Sequence, residues 1–278
     1  METGGILKHA TRWDRAAYGW SRRAAWIERT NQPLTDWLLS ASDVRAGQRL
    51  LEIAAGQAQP ARSAALKAGP LGYAVAADYS FRMLTSRGTP PAPQAGTIAL
   101  CQCAVEQLPF RSGVFDVAMS RLGLHLSVCL DTAIQEVRRV LSPRGILTAV
   151  EWKTESNPWL AIPGQILNSL RGRDDARETN REEAGESLHS ALLANGFAKV
   201  ETAGLTITCV FSEPGDLLEH ILLMSHRFRA HEALRRASPS DLAEAARRVC
   251  LPHTQADGSI EIPSPAFGIL AAKEDGGG

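Results

Sequence analysis

Short apolar runs alternate with amphipathic stretches along this chain from about residue 48 onward. The runs are bounded by Gly, Pro or Asp and indicate buried parallel strands. They cover residues 48–53, 73–77, 97–101, 114–120 and 146–152, and two final strands are expected at 198–209 and 259–273. Helical patterns are predicted between them, over 61–68, 81–87, 130–141, 214–230 and 239–250. This alternation predicts an α/β fold, a doubly wound and mostly parallel seven-stranded sheet with helices on both faces.

Two segments beside this core have patterns of their own. Residues 13–39 are helical in pattern and unusually aromatic, and we expect them to cover the site. Residues 155–181 are polar and interrupted by Pro158, Pro163 and Gly172, which indicates a lid-like insert between the fifth and sixth strands. The predicted organisation is a helical cap over 1–45, a cofactor-binding core over 46–153, the insert over 154–190, and a C-terminal part of the core with added helices over 191–278.

Composition and charge limit the classes of partner. The chain has 278 residues, 44% of them hydrophobic, and 30 basic residues balance 30 acidic ones. This balance favours neither a nucleic acid nor an anionic membrane, so we expect a small-molecule substrate. No apolar run reaches the length of a membrane span, and the N-terminus has no basic region followed by an apolar stretch. We expect a cytoplasmic protein, and the sequence leaves monomer and homodimer open.

Two groups of metal-ligand residue types occur, and neither has the spacing of a metal site. Cys101 and Cys103 have no second ligand pair nearby, so burial of the strand is favoured over metal binding, and the five cysteines are expected to be reduced core residues. His220, His226 and His231 are six and five residues apart and do not share one helical face. A solvated basic face, formed with the arginines at 227 and 229, is the favoured interpretation, and no metal is expected.

The stretch from residue 50 to 60 carries the candidate cofactor chemistry. An apolar strand ends in Glu52, and a turn with Ala54, Gly56 and Ala58 precedes Pro60, which suits a first helical turn. Small side chains let the backbone approach a ligand closely. In a dinucleotide site this turn faces a pyrophosphate, which a carboxylate would repel, so a nicotinamide-dependent oxidoreductase is disfavoured. The turn therefore indicates a cationic cofactor, one with an ammonium and a sulfonium but no phosphate.

Four blocks in this order resemble a known family. They are residues 51–56, residues 77–80 with Met83 and Leu84, residues 106–110 running to 115–116, and residues 136–145. The chain resembles class I S-adenosylmethionine-dependent methyltransferases, in the group similar to the ubiquinone and menaquinone biosynthesis methyltransferases. The resemblance implies the Rossmann-like methyltransferase fold, S-adenosylmethionine as cofactor and S-adenosylhomocysteine as bound product.

The resemblance also implies roles for single residues. Glu52 and Gly56 frame the methionine part of the cofactor, Asp78 accepts hydrogen bonds from the ribose hydroxyls, and Met83 packs against adenine. Asp78 could instead cap the following helix, Met83 could be ordinary helix burial, and Arg121 could be a structural ion-pair partner rather than a neighbour of the methyl-donor end. The predicted cofactor-binding residues are Glu52, Ala54, Gly56, Ala58, Asp78, Tyr79, Met83, Ala104, Val105, Ser120 and Arg121.

Two positions depart from the family pattern. Alanine replaces glycine at Ala58, whose methyl group is expected to narrow the approach to the amino-acid tail of the cofactor. Ala104 stands where the family normally has an Asp that accepts a hydrogen bond from the adenine amino group. Losing that bond costs about 1.5–3 kcal/mol, or about ten- to a hundredfold in affinity, unless Gln102 or a backbone carbonyl replaces the acceptor.

The residues that act on the acceptor are predicted from chemistry and position. Methyl transfer is an in-line displacement, so the protein mainly aligns the reactants and excludes water, and a base is optional. His125, just beyond the fourth strand, is the candidate general base, with a surface turn or helix start as its alternative. Candidate substrate-binding residues are Tyr18, Trp20, Trp152 and Trp159, although each tryptophan could instead be core.

Two functions follow. The first is a methyltransferase that acts on O, N or C of an aromatic, quinone-like or secondary-metabolite acceptor. The second is a methyltransferase-fold protein without methyl transfer, which is a cyclase, an isomerase, another rearrangement catalyst or a ligand-binding protein. Ala58 and Ala104 motivate the second function, since fold does not determine function.

Overall fold

A seven-stranded open sheet forms the centre of the described chain. The computed structural model describes residues 3–86, 96–155, 157–172 and 184–273. Its strands are β1 (Arg49–Ile53), β2 (Tyr73–Asp78), β3 (Thr97–Gln102), β4 (Phe115–Arg121), β5 (Leu141–Trp152), β6 (Phe197–Phe211) and β7 (Ile260–Lys273). Their order is β3-β2-β1-β4-β5-β7-β6, and β7 runs antiparallel to both of its neighbours while the other adjacent pairs are parallel. The predicted fold class is confirmed.

Helices cover both faces and one end of this sheet. In the described ranges they are α1 (Thr3–Arg22), α2 (Ala24–Ala41), α3 (Gln59–Ala68), α4 (Phe81–Thr85), α5 (Leu130–Val140), α6 (Pro158–Leu170), α7 (Ala184–Ala194), α8 (Pro214–Met224), α9 (His226–Ala230), α10 (Glu232–Arg236) and α11 (Pro239–Cys250). None of them combines the length and the apolar character that crossing a bilayer requires.

The central strand β1 shows why these runs form a buried parallel sheet. Successive side chains of a strand point to opposite faces. Leu50 accordingly packs in a cluster with the alanines of α3, whereas Leu51 and Ile53 pack in a second cluster with α5. With both faces covered, the strand is almost continuously apolar, and its only ligand-facing position is its carboxyl end. The sheet therefore places the ends of β1, β2 and β4 side by side.

The chain between β5 and β6 differs from its prediction. Pro163 does not end α6, which begins after Asn157, whose side-chain oxygen accepts the Leu160 N–H. Ile162 and Ile166 of this helix are fully buried in a cluster with α8 and α11. Burying the two side chains contributes about 3–6 kcal/mol, which is at least as large as the cost of about 3 kcal/mol for an internal proline. Residues 173–183 of the predicted insert lie outside the described residues.

His220 lies in an aromatic cluster rather than on a solvated basic face, so that interpretation is wrong for His220, whereas the side chains of residues 226 and 227 lie outside the described part of the structure. Its ring centroid is 4.3 Å from that of Trp26, 5.3 Å from that of Phe211 and 5.5 Å from that of Trp159. Burial lowers the pKa of His220 to about 3, with the charge of Arg23 acting in the same direction. His220 is therefore a neutral core residue at physiological pH.

Contacts with α4, α8 and β7 hold α1 and α2 over the carboxyl edge of the sheet. Asp14 of α1 accepts a hydrogen bond from the hydroxyl of Ser80, and Arg23 donates to Asp216 of α8 over 2.7 Å. Gly19 packs directly against the backbone of Leu223, where a Cβ atom would collide with the carbonyl group. These contacts place one face of each helix above the ends of β1 and β4.

Candidate functional site

A cavity of about 1030 Å³, including solvent at its mouth, lies between α1, α2 and the carboxyl ends of β1, β2 and β4. Its floor consists of the turn at 52–57 and the strand ends at 77–79 and 121–123, with parts of the segments at 103–105 and 126–127. In a doubly wound sheet, this edge is where ligands bind. The structure thus places the candidate turn, the acid after β2 and the residue after β4 around one space.

The turn at the floor has an unusual backbone. Ala54, Gly56 and Ala58 have φ angles of 49°, 52° and 58°, in the left-handed region that favours glycine. Glycine would adopt these angles with less strain than alanine at positions 54 and 58. The methyl group of Ala54 faces the chain after β4, where a Cβ atom at Gly123 would lie only 2.6 Å from it. Ala54 and Gly123 are therefore complementary in size.

Ala58 does not narrow the cavity, and that expectation is wrong. Its side chain is fully buried among the alanines between α3 and the sheet, and it is not one of the described residues that line the cavity. The left-handed φ angle directs its methyl group into this cluster. The substitution therefore affects the packing of α3, not the space above the turn.

Glu52 is a buried carboxylate that lines the cavity. Its Oε2 accepts the backbone N–H of Ala61 in the first turn of α3 over 2.7 Å. Burial raises the pKa of Glu52 to about 8, and the nearby charge of Arg121 opposes that rise. A cation in the cavity would favour the ionised form and compensate for the lost hydration. The site therefore suits a positively charged ligand group next to Glu52.

Arg121 faces the same cavity and also ties α2 to the sheet. Its Nη1 donates to the hydroxyl of Thr35 over 2.7 Å and to Oε1 of Gln59. Gln59 in turn donates to Gln32 of α2 over 3.1 Å. The two interpretations of Arg121 therefore do not exclude each other, since it has a structural role and lines the cavity. Arg121 and Glu52 line the same cavity, where an ionised Glu52 would carry the charge opposite to that of Arg121.

Asp78 is held by backbone N–H groups from two sides. Its Oδ2 accepts from Gly56 and its Oδ1 accepts from Ser80, each over 2.8 Å, while burial raises its pKa. The alternative that Asp78 caps α4 is wrong, because Ser80 is the N-cap and accepts the Met83 N–H over 3.0 Å. Each carboxylate oxygen retains a lone pair for a ligand hydroxyl in the cavity.

The far end of the cavity lies beside β2 and β3. Tyr79 lines it and donates its hydroxyl proton to Glu106, which also accepts the Val128 N–H over 2.6 Å. Burial raises the pKa of Tyr79, and the hydrogen bond to Glu106 acts in the same direction. The other lining residues here are Met83, Cys103 and Val105, whereas Ala104 is not among the described lining residues.

The roof of the cavity consists of Trp13, Trp20, Ala24, Ile27, Glu28 and Asn31. Trp13 and Trp20 are seven residues apart and meet edge to face, with ring centroids 6.0 Å apart. Sequence reasoning selected only Trp20, although the spacing of the α2 residues, at 24, 27, 28 and 31, marks one helical face. Trp20 Nε1 and Ser127 Oγ are buried without a hydrogen-bond partner among the described residues. Two polar groups of the lining are thus available to a ligand.

Several predicted site residues are not brought to this cavity by the described structure. Ser120 is buried inside the sheet, and Tyr18 is 70% exposed on α1. Trp152 packs with Leu34, Leu38 and Trp37, and Trp159 belongs to the aromatic cluster of His220. Of the four aromatic residues predicted to bind the substrate, Trp20 is the one that lines the cavity in the described structure, where it lies beside Trp13.

His125 lies next to the lining residues Gly123 and Leu126 but is not itself one of the described residues that line the cavity. Its backbone N–H donates to Oε1 of Glu151 over 3.2 Å, and its Nδ1 contacts Oε2 of the same carboxylate. Glu151, near the end of β5, is fully buried. Sequence reasoning missed Glu151, whose signal is an acid at the carboxyl end of an apolar strand.

Comparison with known families gives one match to the core. Residues 51–149 match the model of a methyltransferase domain. The ubiquinone/menaquinone biosynthesis C-methyltransferase UbiE of Ectopseudomonas mendocina is 34% identical over 130 residues, which are 44% of this chain and 49% of that protein. The chain therefore spans about half the length of the curated relatives it matches.

Solved structures share the fold over a longer part of the chain. The YcgJ protein from Bacillus subtilis aligns with a TM-score of 0.55 and 21% identity, covering 87% of this chain and 98% of that one. The [4+2]-cyclase SpnF aligns with a TM-score of 0.51 and 20% identity, covering 88% and 81%. At these identities the likeness describes the fold alone.

Proposed function

We propose that this chain, whose residues 51–149 match the model of a methyltransferase domain, uses S-adenosylmethionine to methylate a small-molecule acceptor. The observation that carries the proposal is the buried carboxyl group of Glu52. It lines the cavity at the end of β1, near the charge of Arg121 at the end of β4. The domain match and the similarity to UbiE support it. The acceptor is a small molecule of the aromatic, quinone-like or secondary-metabolite class.

The residues around the cavity fit the parts of this cofactor. The ammonium and carboxylate of its methionine part match the opposite charges of Glu52 and Arg121. The ribose diol matches Asp78, since a carboxylate can accept two hydrogen bonds from neighbouring hydroxyls. Adenine matches the apolar and aromatic lining formed by Met83 and Tyr79. When bound, the cofactor supplies a methyl group on a cationic sulfur.

The chain's own contribution to the reaction is alignment and exclusion of water. The close fit of Ala54 and Gly123 sets the width of the floor, and the roof with Trp13 and Trp20 covers it. An acceptor held beneath these rings would meet the methyl group in line while water is excluded. His125 is the candidate base on the side of β4 and β5.

The alternative of a protein without methyl transfer loses one of its two arguments. Ala58 is buried away from the cavity, so only the missing acceptor at Ala104 remains. The fold does not separate the two functions, because the [4+2]-cyclase SpnF has a similar architecture. Measurement of binding and of methyl transfer separates them.

The proposal is tested by calorimetric titration of the purified protein with S-adenosylmethionine and S-adenosylhomocysteine. We expect both to bind, and we expect Glu52→Gln to weaken binding at least tenfold by removing the charge that faces the ammonium. Glu151→Gln is the matched control, since it neutralises another buried acid that does not line the cavity in the described structure. A folded protein that binds neither compound at millimolar concentration would refute the proposal. Binding of both without methyl transfer to any acceptor would favour the alternative.

A further inference from the structure

The geometry points to Glu151 as a positioning residue that holds His125 in one tautomer, so that His125 takes the proton of a phenolic or enolic hydroxyl acceptor during methyl transfer. This inference rests on the proposed function and specifies its acceptor class. It assigns a task to the side-chain contact of a buried acid that does not line the cavity in the described structure.

Both oxygens of Glu151 are directed at one residue. Oε2 contacts Nδ1 of the His125 ring, and Oε1 accepts the His125 backbone N–H over 3.2 Å. The Glu151 side chain has 0% exposure, whereas the His125 side chain is 23% exposed. A buried carboxylate is costly unless it is paired and hydrogen-bonded. Glu151 therefore both requires this histidine and constrains its orientation.

With Glu151 ionised, the contact favours one tautomer of His125. An ionised carboxylate can only accept, so Nδ1 of His125 must be the donor. In the neutral ring Nε2 then has a free lone pair on the edge of the imidazole away from Glu151. A base with a defined tautomer and a fixed ring is the arrangement that general base catalysis requires, with the carboxylate stabilising the imidazolium that forms.

The order of the strands places this pair on the acceptor side of the cavity. Asp78 and Tyr79, which match ribose and adenine, follow β2, whereas Glu52 and Arg121 follow β1 and β4. The sheet continues from β4 to β5, where Glu151 lies. The strand order therefore runs from the residues that match ribose and adenine to the pair of Glu52 and Arg121, and then to the pair of His125 and Glu151, called the dyad below. His125 is next in line beyond the end expected to carry the methyl group.

The proton balance defines the acceptor. As the acceptor oxygen bonds the methyl carbon, the carbon–sulfur bond breaks and its electron pair returns to sulfur. The hydroxyl proton passes to Nε2 of His125, and the resulting imidazolium is balanced by the carboxylate of Glu151. The products are a methyl ether, a neutral thioether and a protonated histidine that later loses its proton to solvent. Transfer to an acceptor without such a proton would leave the dyad unused.

The first test observes the tautomer by nitrogen NMR of the histidine side chains, with the His125 signals assigned by their loss in His125→Gln. We expect Nδ1 of His125 to be protonated in the wild type. In Glu151→Leu, which has no acceptor, we expect the Nε2-protonated form that imidazole favours in water. Glu106→Gln, a second buried acid that does not contact His125 in the described structure, should leave the signals unchanged. A wild-type ring protonated at Nε2, or one unaffected by Glu151→Leu, would overturn the inference.

The second test measures transfer of a labelled methyl group from S-adenosylmethionine to catechol, 1-naphthol and the enol of acetylacetone. We expect transfer to at least one of them, with kcat reduced about a hundredfold in His125→Gln and about tenfold in Glu151→Gln, and KM changed less than twofold. Glu151→Asp should retain more activity than Glu151→Gln. A purely structural role would leave kcat unchanged in variants that fold.

Binding of S-adenosylhomocysteine separates the two proposals. If the wild type does not bind it, the proposed function fails. If the wild type binds it but methylates none of the three probes, or if His125→Gln and Glu151→Gln retain the wild-type kcat, the inference about the dyad fails alone. Where Glu151→Gln does not fold, the same comparison between Glu151→Asp and the wild type decides, with a kcat of at least the wild-type value counting against the inference.

Discussion

Replacing His220 with Phe should make the protein markedly more resistant to acid. His220 is packed among Trp26, Phe211 and Trp159, and its buried Nδ1 has no hydrogen-bond partner among the described residues. Burial lowers its pKa from the ordinary value of 6.5 to about 3. Phenylalanine retains the aromatic contacts and removes the group that titrates.

The magnitude follows from the two pKa values. The unfolded chain protonates His220 below about pH 6.5, whereas the folded chain resists protonation until about pH 3. The unfolded state therefore binds the proton more readily, and stability is lost as the pH falls through this window. Between pH 7 and pH 5, the loss from this residue alone is about 2 kcal/mol. The charges nearest to the ring are Arg23, which lowers the pKa further, and Asp216, which raises it.

The assay is urea denaturation of wild type and His220→Phe at pH 7 and pH 5. Other groups titrate equally in both proteins, so the difference between the two losses isolates His220. We expect His220→Phe to lose about 2 kcal/mol less than the wild type. His253→Phe is the control, since partial burial also lowers the pKa of that histidine but its ring is more accessible, and it should recover less. Equal losses in the wild type and His220→Phe would refute the reasoning.

Four further predictions concern the cavity and its turn. Binding of S-adenosylhomocysteine should strengthen about twentyfold from pH 6 to pH 7.5, because the pKa of Glu52 is about 8 and the ammonium group of the ligand favours its ionised form; calorimetry should show this slope in the wild type and not in Glu52→Gln. Ala58→Gly should cost at least about 1 kcal/mol less in unfolding free energy than Ala64→Gly, since both lose a buried methyl group but only Ala58 has a left-handed φ angle, and equal costs would count against strain at Ala58. Gly123→Ala should destabilise the protein by about 1–3 kcal/mol through its overlap with Ala54, and the double variant with Ala54→Gly should recover most of that loss; additive losses in a double-mutant cycle would contradict the contact. Ala104→Asp places a longer side chain between the lining residues Cys103 and Val105 and should tighten S-adenosylhomocysteine about tenfold by restoring an acceptor for the adenine amino group, whereas unchanged affinity in calorimetry would show that another group already fills that role.

The sequence predicts the strands well because each is an apolar run ended by residues that favour turns. The second strand, expected at 73–77, extends over Tyr73–Asp78. The fifth begins earlier than expected, at Leu141, because the register shifts between the pairs Phe115–Leu141 and Val117–Ile146. The residues between positions 141 and 146, which the predicted helix and strand left unassigned, lie between these two pairs, with Arg144 at a φ angle of 60°. The hydrophobic pattern thus predicts that the fifth strand forms, but it does not predict the register shift near its start.

The sequence predicts those site residues whose position follows from a place at the end of a strand. It misses those whose position depends on how distant elements pack. Glu52 and Asp78 reach the cavity because the carboxyl ends of adjacent parallel strands must meet. The direction of the Ala58 methyl group depends on the sign of one φ angle, which composition does not reveal. Whether a tryptophan lines a cavity or fills a core depends on distant elements, as the contact of Trp159 with Phe211 shows.

The hydrophobic spacing along α8 is sufficient to predict that His220 is buried. Leu217, His220, Ile221 and Met224 follow one another at the spacing of a single helical face, and that face is apolar apart from the histidine. The basic residues that suggested a solvated surface belong to the next helix. Because the apolar face of a helix packs inward, the spacing indicated a core histidine.

The floor and the roof of the cavity come from two separate parts of the sequence. Every floor residue falls within the matched stretch 51–149, whereas the six roof residues lie between positions 13 and 31. Under the proposed function, an exchange of the first two helices would alter the surface that selects an acceptor while the cofactor's contacts stay intact. Such an exchange must keep the contacts that hold the two helices in place, among them the hydroxyl of Thr35, to which Arg121 donates, and the carboxylate of Asp14, which accepts from Ser80. Under that function, replacing this short N-terminal segment while keeping such contacts, the oxygen at position 35 among them, should change the acceptor.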